Sequence, residues 1–215
     1  MAEQLRDKSG RFFDALSRQS VKEWDTVLFE DDDIIVVPTL GSLVPNWLLI
    51  IPKVRALNFS IWRNQTGCNP LSKVQIIRNH FGIGGEAIWF EHGAVSEGSE
   101  VGCGVDYAHL HVILESPFDL VTFSEAATYF SESRWRPLSL SSVYPNHVRD
   151  QHYYVYGGFS AASLLEGKSL GRQFFRKVVA NLVGAPDAWD YQKFNGLSEV
   201  RITNSRLLGS PAKVA

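Results

Sequence analysis

Apolar residues recur along this chain at two spacings, and those spacings outline its elements. Phe12, Phe13 and Leu16 in GRFFDALSRQ (10–19) fall at helical intervals, which predicts an N-terminal helix. TVLFE, an acidic DDD and IIVVP read as two strands joined by a turn, closed by Pro38 and the TLGS beyond it. WLLIIP (47–52) is apolar throughout, as a central strand would be, and 56–62 fits a short helix. Asn69-Pro70 then opens a helix with Leu71, Val74, Ile77 and Phe81 on one face. AIWFE (87–91) is a further strand, running into His92-Gly93 and a stretch rich in Gly, Ser and Glu that ends at Gly104. DYAHLHVIL (106–114) is strand-like again. After Pro117, TFSEAATYFSES predicts a helix, HYYVYGG a strand, and GRQFFRKVVANLVG a helix closed by Gly184. Residues 185–215 are polar and loosely patterned, with a tail expected to be mobile.

Strands that mostly follow one another, with helices interspersed, predict an α+β fold with a largely antiparallel sheet. The helices are expected on one side of it. Composition narrows this only slightly. The 215 residues are 45% hydrophobic and 20% charged, which suits one globular domain, and six Trp with thirteen Phe supply bulk for its core. A net charge of −2 implies no general polyanion-binding surface, so nucleic acid is not an expected partner. The start, MAEQLRDKSG, lacks the apolar core of a signal peptide, and no apolar run approaches the ~20 residues needed to cross a bilayer. Cys68 and Cys103 make no disulfide framework. A cytoplasmic protein with free thiols and no membrane association is expected.

The candidate chemistry lies in DYAHLHVIL. Residues two apart on a strand share a face, so Tyr107, His109 and His111 are expected to project together. Buried imidazoles without partners are costly, and three readings account for them. They are hydrogen-bonded histidines at a sheet surface, or metal ligands, or a nucleophile on phosphorus with its neighbour. For the metal reading, HxH followed by Glu115 resembles the first part of the cupin motif. Against it, that motif's glycines are Cys103 and Thr122 here, and no second motif follows. For the phosphorus reading, a neutral imidazole needs one ring nitrogen fixed by a hydrogen bond so that the other attacks. It also needs donors around the phosphate.

GCGVDYAHLHVIL resembles the defining H-x-H-x-H stretch of the histidine triad superfamily. VPTLGSLVPNWLLIIPKVR resembles that family's approach to a lysine-and-histidine pair, and IWFEHG its strand before the glycine-rich loop. LGRQFFRKVVANLVGAPDAWD is similar to the C-terminal part of some bacterial triad-like proteins. The likeness spans roughly residues 20 to 190. It implies a HIT-like antiparallel sheet with flanking helices and a C-terminal extension, divided as an N-terminal helix (1–19), a core (20–135) and an extension packed on the core (136–215).

By the same resemblance His109 is the nucleophile on the α-phosphorus of a nucleotide, and His111 contacts the phosphate. Lys53, Arg55 and the loop through Cys103 and Gly104 hold that phosphate, while Tyr107 orients it. Thr39 falls at the ribose contact. Glu91 and His92 both compete for the place of an asparagine that steadies the phosphate. Three positions depart from the pattern: Tyr107 replaces the first histidine, Arg55 a histidine, and Gly104 a serine. A phenol with a pKa of about 10 holds no positive charge at neutral pH, and a guanidinium shuttles no proton.

The resemblance therefore implies a nucleotide hydrolase or nucleotidyltransferase working through a nucleotidyl-histidine intermediate, without metal or cofactor, as a homodimer. The alternatives are a nucleotide-binding protein of weakened activity, and a metal-dependent enzyme using His109, His111 and Glu115. Elsewhere the bland reading is expected. His80 sits at a helix end, and Asp31 to Asp33 form an exposed turn. Arg172, Gln173 and Arg176 belong to a solvated helix face. Cys103 has no base beside it and is taken as packing rather than a nucleophile. His147 and His152 lie in a loop.

Overall fold

A computed structural model describes residues 12–101, 105–145 and 147–209. Eight strands form one sheet: β1 (Phe29–Glu30), β2 (Ile34–Pro38), β3 (Trp47–Pro52), β4 (Ala87–Gly93), β5 (Leu110–Leu114), β6 (Arg136–Leu138), β7 (Tyr153–Gly157) and β8 (Ala162–Glu166). Their order is β1-β2-β3-β5-β4-β7-β8-β6, and every pairing is antiparallel. Six helices are described: α1 (Phe13–Leu16), α2 (Phe59–Thr66), α3 (Pro70–Phe81), α4 (Leu120–Ser131), α5 (Phe174–Leu182) and α6 (Leu197–Leu208). The fold is α+β on an antiparallel sheet, as the pattern predicted. No helix among the described residues is long and apolar enough to cross a membrane.

Local chemistry explains most boundaries. Asn58 caps α2 by accepting from the Ile61 amide, and Gly67 ends that helix at φ 75°. Asn69 caps α3, Pro70 fills its first turn, and Gly82 closes it. Asp119 caps α4 through the Thr122 amide. Of the predicted N-terminal helix, residues 1–11 lie outside the described residues; the described part holds one turn, beyond which Arg18 takes a left-handed conformation at φ 59°. Residues 185–215, read as loosely patterned, contain α6.

One expectation is corrected. Helices cover both faces of the sheet, not one. On one face α2 and α3 bring Phe59, Trp62, Val74 and Ile77 against Val36, Leu48, Ile50, Leu110 and Val112. On the other, α4 and α5 bring Phe123, Phe174, Phe175 and Val178 against Trp47, Ile88, Phe90 and Ile113. Beside that second cluster, Phe12 and Ala15 cover Ile35, Val37, Leu49 and Ile51. Strands buried on both faces carry unbroken apolar runs, which is why IIVVP and WLLIIP do not alternate.

The strand order also bears on the division at residue 135. β6, β7 and β8 all follow that point, yet they pair into the same sheet through β4 and β7. The C-terminal part is thus built into the sheet rather than packed onto a finished core. β7 thereby satisfies the backbone groups along the side of β4 that β5 leaves unpaired.

Candidate active site around His109 and His111

Register decides which side chains meet. Phe90 lies opposite His111 across β4 and β5, and Leu49 lies opposite it across β3 and β5. Alternation then places Trp47, Leu49, Phe90, His92 and His111 on one face and Glu91 on the other. The approach to β5 is irregular: β5 begins only at Leu110, after a bend through Asp106 and Tyr107. The amide of Ala108 donates to the carbonyl of Ala56 (2.7 Å), which pins that approach to the start of α2.

His109 is 8% exposed, and its Nδ1 lies 2.8 Å from the Tyr107 carbonyl oxygen. A carbonyl only accepts, so Nδ1 carries the hydrogen and the lone pair of the neutral ring sits on Nε2. His111 is fixed in the opposite tautomer. Its Nδ1 accepts from the indole Nε1–H of Trp47 (3.1 Å), leaving the hydrogen on Nε2. The ring is stacked on Phe90 at 4.9 Å, and burial, then His109, His92 and Arg176, holds its pKa well below the ordinary imidazole value. Its Nε2 is buried without a hydrogen-bond partner among the described residues.

His92 lies beside them. Its Nε2 accepts from the Phe175 amide at the start of α5 (3.4 Å), and burial, with His109 nearby, lowers its pKa to about 3. Of the two residues competing for one place, His92 thus shares the face of the paired histidines. Glu91 does not. Its carboxylate points into the opposite layer, where it accepts from the Phe59 amide (2.7 Å) and from the hydroxyls of Tyr144 (2.9 Å) and Tyr153 (2.8 Å). Burial raises its pKa to about 7 against the pull of those donors. Glu91→Ala would orphan three buried donors, and we expect it to cost about 3–5 kcal/mol. Urea unfolding checks this; a change under ~1 kcal/mol would mean the cluster is not a structural hub.

A cavity of about 40 Å³ opens at the histidines, lined by Phe12, Thr39, Leu40, Leu49, Val105, His109, His111, Arg176 and Tyr191. Thr39 is 2% exposed, and its Oγ1 is buried without a partner among the described residues. Arg176, assigned from sequence to a solvated face, is 2% exposed. Its Nε donates to the carbonyl of Trp189 (2.8 Å), Nη1 to Leu40 (3.3 Å) and Nη2 to Gly41. The guanidinium lies 5.0 Å from the Trp47 ring and 5.9 Å from that of Tyr191. Gly41 is required there: φ is +73°, and a Cβ would stand 2.6 Å from both Arg176 Nη2 and Tyr191 Cβ.

The other expected phosphate holders are not brought to the cavity. Lys53 pairs with Glu30 (2.6 Å), and Arg55 pairs with Glu97 (2.6 Å), both at the surface. The Tyr107 hydroxyl donates to the Pro52 carbonyl (2.9 Å), so what this residue gives His109 is its backbone oxygen, not its phenol. Cys103 and Gly104 lie outside the described residues. Glu115 pairs with Arg206 at 2.5 Å, and no group of three metal-ligating side chains gathers among the described residues. The HxH-plus-glutamate ligand set is therefore not assembled. Sequence reasoning missed Arg176, Tyr191 and Phe12 as lining residues. Only for Arg176 was there a signal, an arginine inside the apolar run of FFRKVVANL.

Neither a family model nor a curated protein matches the chain. Among solved structures, it is similar to a Hit-like protein involved in cell-cycle regulation from Bartonella henselae. Identity is 21% and the TM-score 0.37, over 51% of this chain and 78% of that one.

Proposed function

We propose that this chain is a histidine-triad-like nucleotide hydrolase or nucleotidyltransferase with His109 as its nucleophile. The observation that carries the reading is the Nδ1–H of His109 on the Tyr107 carbonyl, which puts the lone pair on Nε2. In the first step the Nε2–P bond forms as the P–O bond to the leaving group breaks. That group departs with the bonding pair and takes a proton from solvent. In the second, water or another acceptor attacks phosphorus, the P–N pair returns to Nε2, and the acceptor's proton is released. The neutral His111, which lines the cavity and carries its hydrogen on Nε2, donates to a phosphoryl oxygen in both steps.

A nucleotide is far larger than a 40 Å³ cavity, which holds about three waters. The phosphoryl group of a nucleotide would enter here, and fuller access to His109 depends on the cavity wall. The movable wall is Phe12, whose ring lies 5.4 Å from that of His109 and which caps the N-terminus of a one-turn helix. Short terminal elements open locally at low cost. Phe12→Ala is expected to speed modification of His109 by diethyl pyrocarbonate by roughly tenfold, read by peptide mass mapping. An unchanged rate would mean that this segment does not cover the ring.

The reading itself is tested by incubating the protein with nucleoside phosphoramidates, dinucleoside polyphosphates and nucleotide sugars, following product and intact mass. A nucleotidyl-mass adduct located on His109, or turnover that needs His109, supports it. The second reading is a nucleotide-binding protein without turnover. It is favoured by the engagement of Tyr107, Lys53 and Arg55 away from the cavity. Saturable nucleotide binding with neither adduct nor product would decide for it.

A further inference from the structure

We infer that the cavity at the histidines is a binding site for a small tetrahedral oxyanion held by Arg176, the Thr39 hydroxyl and the Nε2–H of His111. This rests on the reading above for the chemistry of the site, and it names a cation that neither the sequence pattern nor the resemblance assigned. Three features of one cavity converge on it.

The first is the pair of orphaned polar atoms. Thr39 Oγ1 and His111 Nε2 are both buried without a partner among the described residues, and both residues line the cavity. Leaving a buried hydroxyl or N–H unsatisfied costs about 1–3 kcal/mol each, a cost that a ligand acceptor would remove. Both can donate: a hydroxyl turns to suit its acceptor, and the Trp47 bond fixes the hydrogen of His111 on Nε2.

The second is charge. Arg176 brings a permanently ionised guanidinium to the wall of this cavity from α5. The carbonyls of Leu40, Gly41 and Trp189 hold the guanidinium in orientation, and Trp47 and Tyr191 give it flat neighbours. Trp47 thus touches both groups: it donates to His111 and faces Arg176. A single indole sets the spacing between donor and cation. Moving a guanidinium out of water is costly, and five surrounding groups hold this one at the cavity wall, where its charge can meet an anion.

The third is size. About 40 Å³ suits a tetrahedral oxyanion, and its apolar walls, Phe12, Leu40, Leu49 and Val105, strengthen each charge-assisted hydrogen bond by excluding water. The anion is inorganic phosphate or the phosphoryl group of a larger substrate, and the two share this chemistry. Arg176 accordingly supplies from the C-terminal part the positive charge that Tyr107 cannot carry and that Arg55, paired with Glu97, does not bring.

The test uses inorganic phosphate as probe, with sulfate as a second oxyanion, in calorimetric titrations of the full chain at fixed ionic strength. Wild type is expected to bind one phosphate. Thr39→Val, nearly isosteric, should weaken binding by roughly tenfold. Arg176→Gln should weaken it by at least about thirtyfold, with Arg176→Lys between them. Near-UV circular dichroism establishes that each variant is folded. Should Arg176→Gln fail to fold, Thr39→Val and the His111 Nε2–H proton resonance of wild type carry the test. That resonance should move downfield as phosphate is added. Absence of saturable phosphate binding to wild type overturns the inference, as does equal affinity in wild type and Thr39→Val with an unmoved His111 resonance. A nucleotidyl adduct on His109, measured on the same preparations, keeps the two failures apart. An adduct without phosphate binding leaves the catalytic reading standing. Phosphate binding without an adduct or product leaves the oxyanion site and removes the enzyme.

Discussion

Substituting His109 with alanine is expected to lower turnover of any nucleotide substrate by at least about a thousandfold and to abolish the covalent adduct. The reason is that no neighbour can take over the attack. His111 has its hydrogen on Nε2, and its Nδ1 pair is committed to the Trp47 indole. His92 has its Nε2 pair on the Phe175 amide. His109 alone combines cavity access with a tautomer that puts the lone pair on Nε2. The ranking of variants is as diagnostic as the size of the loss. His111→Ala removes a transition-state donor and is expected to cost roughly a hundredfold in kcat. Tyr107→Phe keeps the carbonyl that orients His109 and should change kcat less than about threefold. Its lost bond to Pro52 should appear as about 1 kcal/mol of stability. Steady-state kinetics on the three variants checks this. A Tyr107→Phe loss as large as that of His111→Ala would mean that the phenol itself reaches the substrate.

Stability is expected to peak near pH 6.5 and to fall more steeply toward acid than toward base. His92 has a folded pKa of about 3 against 6.5, and His111 is lowered well below 6.5. Their neutral burial stabilises the fold fully above pH 6.5. As pH drops below that value the unfolded chain binds a proton at each site that the folded chain refuses, and each costs up to ~1.4 kcal/mol per pH unit. Glu91 acts in the opposite sense. Its pKa rises from 4.5 to about 7 on folding, so its contribution is complete below pH 4.5 and is lost as pH rises through 7. Between pH 4.5 and 6.5 two histidines and one opposing glutamate leave a net uptake of one proton on unfolding, about 1.4 kcal/mol per unit. Below pH 4.5 the glutamate is protonated in both states, and the slope steepens because the opposing glutamate no longer offsets the histidines. Urea midpoints at pH 4, 5.5, 6.5 and 8 check the profile. A flat response between pH 6.5 and 4.5 would show that the two rings are not held neutral inside the fold. Glu91→Gln should steepen the fall between pH 6.5 and 4.5 to nearly twice its wild-type slope and remove the small decline between pH 6.5 and 7.

The local periodicities in the sequence were sufficient for the strands IIVVP, WLLIIP and AIWFE, for the helix beginning at Pro70, and for the α+β class. Each is set by contacts within a few residues, where 3.6- and 2-residue repeats decide which side chains share a face. The same local rule put His109 and His111 together, because they are neighbours in the chain. It failed where the partner is distant. Glu91 and His92 are adjacent, and only the pairing of β4 with β5 tells which of them faces the histidines. That pairing is worth nothing until the whole sheet is assembled, so no short window carries it. Arg176 is the plainest case. On its helix it sits in a stretch that is apolar apart from it and its neighbour Lys177, and sequence alone assigned it to solvent. The structure buries it because the carbonyls of Leu40, Gly41 and Trp189 arrive from two other parts of the chain. The sequence by itself determined the local elements and the paired imidazoles. The tertiary structure decided what stands opposite them, since long-range contacts form only when the entropy of closing every intervening loop has been overcome together.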